Sequence, residues 1–294
     1  MTLIRNLIIT FRPWQWVKNS FVVAPLVFSN QLLSPAMDLR FLAGFFIFSF
    51  LSSAVYGIND LADIEKDRKH PLKKKRPLAS GVLSPLLVAV SISILLLGVL
   101  PAAWFIGLRF FLISVFYLVL NLLYSFIFKR IAVLDAITLA LGFVLRVLAG
   151  TAIAGVEPSG WIMLTTFFLA LFLAFCKRRQ EVQVIDRTEM GTSSALSQYN
   201  QLFLDGVIIL SATCAIMCFS LFALSDYAIN KFNTKYLAAS VPFVVFGVLR
   251  YLHLIHFHNR GEDPTMTALT DLPLQASIVL WFLGMIGIIY FSHI

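Results

Sequence analysis

Nine apolar stretches, at roughly residues 18–34, 40–58, 82–100, 103–124, 131–154, 160–176, 203–224, 236–256 and 274–291, take up most of the 294-residue chain. A helix rises about 1.5 Å per residue, so around 20 apolar residues cross the hydrocarbon core of a bilayer. In lipid every backbone N–H and C=O needs an internal partner, and contiguous apolar runs meet that need as helices. With 59% hydrophobic residues, 13% charged residues and a mean hydropathy of +0.87, the chain reads as an all-α integral membrane protein. Nine transmembrane helices in one domain, residues 1–294, are expected, and no separate soluble domain is visible. The first stretch is the most polar of the nine, since it carries Asn19, Ser20, Ser29, Asn30 and Gln31.

The net charge of +8 is not spread evenly. With the N-terminus inside, residues 59–81, 125–130, 177–202 and 257–273 fall in the cytoplasm and hold most of the Lys and Arg, against Arg40, Arg109, Lys231 and Lys235 opposite. That asymmetry sets the orientation: cell inner (plasma) membrane, N-terminus and active-site loops cytoplasmic. No basic helix or aromatic–basic motif accompanies the charge, so nucleic acid is not an expected partner. Cys176, Cys214 and Cys218 lie in apolar segments without metal-site spacing and read as small core residues. No cleavable signal peptide is evident, which leaves targeting to the first span.

Against this background one stretch stands out, Asn59 to Gly81, NDLADIEKDRKHPLKKKRPLASG, with four acids and seven lysines and arginines. Asn59, Asp60, Asp63 and Asp67 recur at helical spacing, so a helix continuing through them puts all four on one face at its cytoplasmic end. Carboxylates there suit Mg²⁺, which takes oxygen ligands and keeps waters or substrate phosphates in its remaining positions. The basic run from Arg68 to Arg76 then faces phosphate oxygens. Lysines such as Lys73, Lys74 and Lys75 are accounted for by topology alone, but acids contribute little to topology, and ionisable groups at a membrane edge mark function.

Other charged groups lie in or beside the spans. Asp135 and Arg146 are eleven residues apart, about 16 Å along one face of a single helix, which places each among polar groups of a cavity and not in lipid. Arg146 either ties neighbouring helices together or binds a phosphate through its planar fork. Tyr124, Ser125, Lys129 and Arg130 follow the fourth span. Lys177, Arg178, Arg179 and Glu181 follow the sixth, where Lys177 and Glu181 sit one turn apart. Near the interface, Arg12, Trp14, Trp16, Lys18 and Asn19 surround a helix-opening Pro13. Tyr199, Asp205, Asp263, Asp271 and His70 are weaker candidates. Of His253, His256 and His258 only the first two share a helix face, and no catalytic acid accompanies them, so a metal site is not assigned there.

Taken together these motifs resemble the UbiA superfamily of intramembrane prenyltransferases: NDxxDxxxD at Asn59–Asp67 after the second span, then RxHPxKxxRPxxxG from Arg68 to Gly81. Within it, RPWQWVKN (Arg12–Asn19), YSFIFKR (Tyr124–Arg130), GFVLRVLAG (Gly142–Gly150) and FCKRRQE (Phe175–Glu181) look most like the decaprenyl-phosphate phosphoribosyltransferases. The resemblance implies a UbiA-like helical bundle with a cytoplasm-facing active-site cavity. It also implies Mg²⁺-dependent transfer of phosphoribose from phosphoribosyl diphosphate to a polyprenyl phosphate, serving cell wall biosynthesis. Membrane lipid is then a constant partner, and a homo-oligomer is compatible with the sequence.

The superfamily usually carries a second aspartate-rich motif after the sixth span, where this chain has KRRQE, with Asp186 only in the loop beyond. A basic replacement suits an acceptor that is itself a phosphate. On this reading Asp60, Asp63 and Asp67 hold the metal, with Asp60, Asp63 and Asp135 catalytic, and Asn59 orients the metal ligands. Lys18, Arg68, Arg76 and Lys129 contact the donor's phosphates, while Arg146, Lys177 and Arg178 take the second anion. Tyr124 and Glu181 complete the substrate-binding set, and Asp135 binds a ribose hydroxyl. Two rivals stay open. A prenyltransferase acting on an aromatic acceptor would use prenyl diphosphate and ignore phosphoribosyl diphosphate. A lipid transporter would carry polar groups near mid-membrane in repeated halves.

Overall fold

The computed structural model describes residues 2–29, 34–69, 73–188, 196–258 and 264–291, and among these every regular element is helical. His70 and Asp263 lie outside the described residues. Eight helices among them are long and apolar enough to cross a membrane: Pro35–Ala62, Pro85–Ile106, Leu108–Arg130, Leu134–Ala154, Gly160–Gln183, Gln201–Leu224, Tyr236–Phe257 and Leu272–Phe291. They correspond to the second through ninth expected spans. In the first, a 3₁₀ segment at Pro13–Asn19 passes into a helix of only nine residues, Ser20–Phe28, with Pro25 inside it. The polar start and the internal proline, which lacks an N–H for the helical ladder, account for the shortness of that helix.

By contact the chain divides into two compact units, Met1–Lys129 with Leu145–Val156, and Arg130–Val144 with Glu157–Ile294. The first contains α1 (Thr2–Phe11), α2 (Ser20–Phe28), α3 (Pro35–Ala62), α4 (Ile64–Lys69), α5 (Pro85–Ile106) and α6 (Leu108–Phe126). It also takes the later residues of α7 (Leu134–Ala154). Ser84 caps α5 by accepting the Leu87 N–H, with Pro85 at the first helical position. Between α5 and α6 the chain reverses at Gly107, whose φ of +151° disfavours a side chain. Phe48 of α3 is fully buried and packs edge-on to Phe110 and against Tyr117 of α6. On α1, by contrast, Leu3, Ile4, Ile8 and Ile9 are exposed.

Helix α7 meets α2 at Gly150, where an added Cβ would stand 2.2 Å from the Val22 carbonyl oxygen and 2.8 Å from the Pro25 ring. Backbone cannot yield as a side chain can. Gly150→Ala is therefore expected to destabilise the protein by about 1–3 kcal/mol, the range for overpacking, read as a lowered melting temperature in detergent.

The second unit contains the first residues of α7, then α8 (Gly160–Thr188), α9 (Gln201–Leu224), α10 (Asp226–Phe232), α11 (Val241–His258), α12 (Pro264–Thr270) and α13 (Leu272–Phe291). Helix α8 packs along α9, and α11 along α13. Asn200 caps α9 through the Phe203 N–H, and Ser225 caps α10 through that of Ala228. Phe172, Phe175, Cys176, Leu204, Ile208 and Ile255 are core residues here. All three cysteines are free, and Cys176 and Cys218 are buried as small apolar side chains.

Candidate active site

In the first unit, α3 does not run unbroken through the acidic motif. It ends at Ala62; Asp63 adopts φ −105°, ψ 6°, and α4 starts at Ile64. Two backbone bonds span the break, from Asp63 N–H to the Asn59 carbonyl at 3.1 Å and from Asp67 N–H to the Asp63 carbonyl at 2.8 Å. The expected single face is thus divided between two helices. Asp60 and Asp67 are both only 3% exposed, so each needs a compensating charge.

Three basic side chains meet the acids. Arg76 bridges two of them through one nitrogen, with Nη1 3.1 Å from Asp60 Oδ1 and 2.7 Å from Asp67 Oδ2. Arg12 places Nη2 2.5 Å from the same Asp60 Oδ1 and its guanidinium 5.2 Å from the centre of the Tyr56 ring. It does so from a left-handed backbone, φ 51° and ψ 60°, directly before Pro13. Lys129, beyond the end of α6, puts Nζ 2.6 Å from Asp63 Oδ1 and 3.5 Å from Asn59 Oδ1.

The three carboxylates, with the Asn59 amide oxygen beside Asp63, make a donor set of hard oxygens already engaged by Arg12, Arg76 and Lys129. Such a set fits Mg²⁺. Among the described residues no three His, Cys, Asp or Glu side chains are grouped so as to hold one metal ion, so the three aspartates form no ready-made cage. Mg²⁺ rarely has one, since it is held by one or two carboxylates with waters and substrate phosphates.

The structure brings Asn59, Asp60, Asp63, Asp67, Arg76 and Lys129 together and leaves Arg68 apart, in an exposed pair with Glu65 at 3.0 Å. Lys18 is half-buried on the 3₁₀ segment, and Tyr124 half-buried on α6. Arg12 is the contributor that sequence reasoning left out of its site. The one signal for it was a basic residue opening the Pro-Trp motif.

Deeper in the same unit, Arg146 is 5% exposed. Its Nε donates to Asn19 Oδ1 at 2.7 Å, and its Nη2 to the Tyr117 hydroxyl at 2.8 Å and to Ser52 Oγ at 3.4 Å. Asn19 Nδ2 in turn donates to Ser49 Oγ at 3.1 Å. This network joins α7 to α3, to α6 and to the 3₁₀ segment through the residue expected to take the second anion.

In the second unit Asp135, 1% exposed, opens α7 and is held from several sides. The Tyr199 hydroxyl donates to its Oδ1 at 2.7 Å, the Ala136 N–H to the same oxygen at 2.8 Å, and Arg178 Nε lies 2.7 Å from Oδ2. Arg178 also pairs with Glu181, and Lys177 is half-buried beside it in α8. Arg179 pairs with Asp205, whose Oδ1 is 3.6 Å from His256 Nε2.

Tyr199 does a second task by accepting the Val133 N–H at 2.6 Å. Val133 has φ +69°, a conformation that β-branched residues rarely adopt. Burial and the hydrogen bond to Asp135 raise the Tyr199 pKa, so its hydroxyl stays a donor at neutral pH. Tyr199→Phe removes both bonds, and a loss of about 1–3 kcal/mol is expected in thermal unfolding.

Long apolar helices, with a buried carboxylate–cation cluster where one of them breaks, define an integral membrane protein. The chain belongs to the UbiA prenyltransferase family, whose model matches residues 20–272, and it is a transferase. It is 33% identical to the decaprenyl-phosphate phosphoribosyltransferase of Mycolicibacterium smegmatis, over 99% of this chain and 94% of that one. To the protein of the same name from Corynebacterium glutamicum it is 32% identical, over 97% and 87%. Among solved structures, a UbiA homologue from Archaeoglobus fulgidus bound to DMAPP and Mg²⁺ superimposes with a TM-score of 0.72 at 19% identity, covering 98% of this chain and all of that one.

Proposed function

We propose that the protein transfers the 5-phosphoribosyl group from phosphoribosyl diphosphate to a polyprenyl phosphate at the cytoplasmic face of the inner membrane. The observation that carries this reading is the carboxylate cluster of Asp60, Asp63 and Asp67 with Arg12, Arg76 and Lys129, in a chain that has the basic Lys177–Arg178–Arg179 run after its sixth span. One acidic cluster serves one diphosphate. A basic run suits an acceptor that already carries phosphate. The names of the mycobacterial and corynebacterial relatives, decaprenyl-phosphate phosphoribosyltransferase, support the same transferred group and acceptor class.

In this reaction an oxygen of the acceptor phosphate bonds to C1 of the ribose, the C1–O bond to diphosphate breaks, and the electron pair leaves with diphosphate. Asp60, Asp63 and Asp67 would hold Mg²⁺, which supplies neutralisation of charge on the departing diphosphate; the Archaeoglobus homologue was solved with that ion. Arg12, Arg76 and Lys129 bind the phosphate oxygens, and Asn59, one turn before Asp63, orients Lys129. Lys177 and Arg178 are assigned to the acceptor phosphate, and Asp135 orients Arg178 through their ion pair. The acceptor is ionised at neutral pH and needs positioning more than a general base.

The test uses purified protein with Mg²⁺, a polyprenyl phosphate and labelled phosphoribosyl diphosphate, with and without chelator. Label entering the lipid phase only with Mg²⁺ is the expected result. Label that instead follows prenyl diphosphate onto an aromatic acid would overturn it.

A further inference from the structure

The three aspartates of the first unit and the three cations proposed to bind phosphate are paired with one another: Asp60 with Arg12 and Arg76, Asp67 with Arg76, and Asp63 with Lys129. We infer that these ion pairs form a latch that metal and diphosphate open only together, the aspartates passing to the metal as the cations pass to the phosphates. This rests on the reading of Asp60, Asp63 and Asp67 as metal ligands.

A metal arriving alone at Asp60 competes with two guanidinium groups for one carboxylate that is 3% exposed. Cations displaced from a buried acid and given no new anion are left uncompensated, and removing one partner of a buried pair is strongly unfavourable. Diphosphate arriving alone meets the converse problem, since drawing Arg76 away strips both Asp60 and Asp67 of a counter-charge and brings more negative charge beside them. When both arrive, every charge that loses a partner gains one.

The latch also selects between substrates. A metal-chelated diphosphate satisfies both halves of the exchange, whereas a phosphate monoester without metal satisfies one. The cluster therefore favours the donor and rejects the metal-free acceptor by its own pairing, through cost imposed on the wrong ligand.

An inverse effect follows for substitutions. Arg76→Gln removes the bridge over Asp60 and Asp67, so Mn²⁺ alone, followed by loss of its free-ion electron paramagnetic resonance signal, is expected to bind about tenfold tighter or more than to wild type. Arg12→Gln acts in the same direction at Asp60. Arg76→Lys keeps the charge and is expected to keep the weak binding of metal alone. In parallel, inorganic diphosphate with Mg²⁺ is expected to raise the melting temperature of wild type well beyond the sum of either ligand alone, and to lose that excess in Arg76→Gln.

Unchanged or weaker Mn²⁺ binding in both glutamine variants, with Mn²⁺ still bound by wild type in the presence of diphosphate, overturns the latch and leaves the metal site standing. Absence of bound Mn²⁺ in wild type even with diphosphate removes the metal reading, and the latch with it. If Arg76→Gln fails to fold, Arg12→Gln carries the comparison by itself.

Discussion

Asp60→Asn is expected to reduce phosphoribosyl transfer by roughly 10²–10³-fold, the scale seen when one preorganised electrostatic contact to a developing charge is removed. The substitution is close to isosteric, so Arg12 and Arg76 still find an oxygen acceptor where Asp60 Oδ1 now stands. Lost are the full negative charge and a hard anionic ligand. Arg76 keeps Asp67 at 2.7 Å, and the fold should melt within a few degrees of wild type. The measurement is a single-turnover rate of label transfer beside a melting curve. A rate within tenfold of wild type would remove Asp60 from the chemistry, and a collapse of melting temperature would make it a structural residue.

The second large effect concerns stability. Arg146→Ala is expected to cost about 3 kcal/mol or more, because hydrogen bonds to a charged group contribute about 1.5–3 kcal/mol each and their neutral partners are left buried. Asn19, Ser52 and Tyr117 all lose a donor at once, and all three are at most 3% exposed. Arg146→Lys should recover little, since one ammonium cannot reach partners on both sides of a planar fork. Equilibrium unfolding in mixed micelles reads the change. A stable Arg146→Ala with a raised KM would show instead that the arginine serves substrate.

Much of this was legible because spacing is a local property. NDxxDxxxD announced itself through acids recurring at the end of an apolar run, and eight of the nine expected spans reappear as long helices among the described residues. The break at Asp63 was not legible: between Asp60 and Asp67 the chain has neither Gly nor Pro, the residues that usually announce a helix end. Arg12 was missed as a partner of Asp60 because 48 residues separate them, and no periodicity reaches that far. Arg146 was conspicuous as a charge in a span, yet its partners lie on other segments of the chain, which only the fold brings together. Tyr199 carried almost no signal, since a tyrosine beside a span usually reads as an interfacial anchor. The nine-residue α2 shows the opposite failure, in which a run apolar enough to count as a span contains Pro25.

The left-handed residue at the end of α1 has a practical consequence. Arg12 carries the ion pair to Asp60, and the ten-residue helix before it exposes Leu3, Ile4, Ile8 and Ile9. Helix and guanidinium therefore form a short lever, with exposed apolar side chains at one end and the carboxylate cluster at the other. A fusion partner or affinity handle joined ahead of Thr2 hangs on that lever. For purification and for measuring rates, the handle belongs at the C-terminal end, after α13.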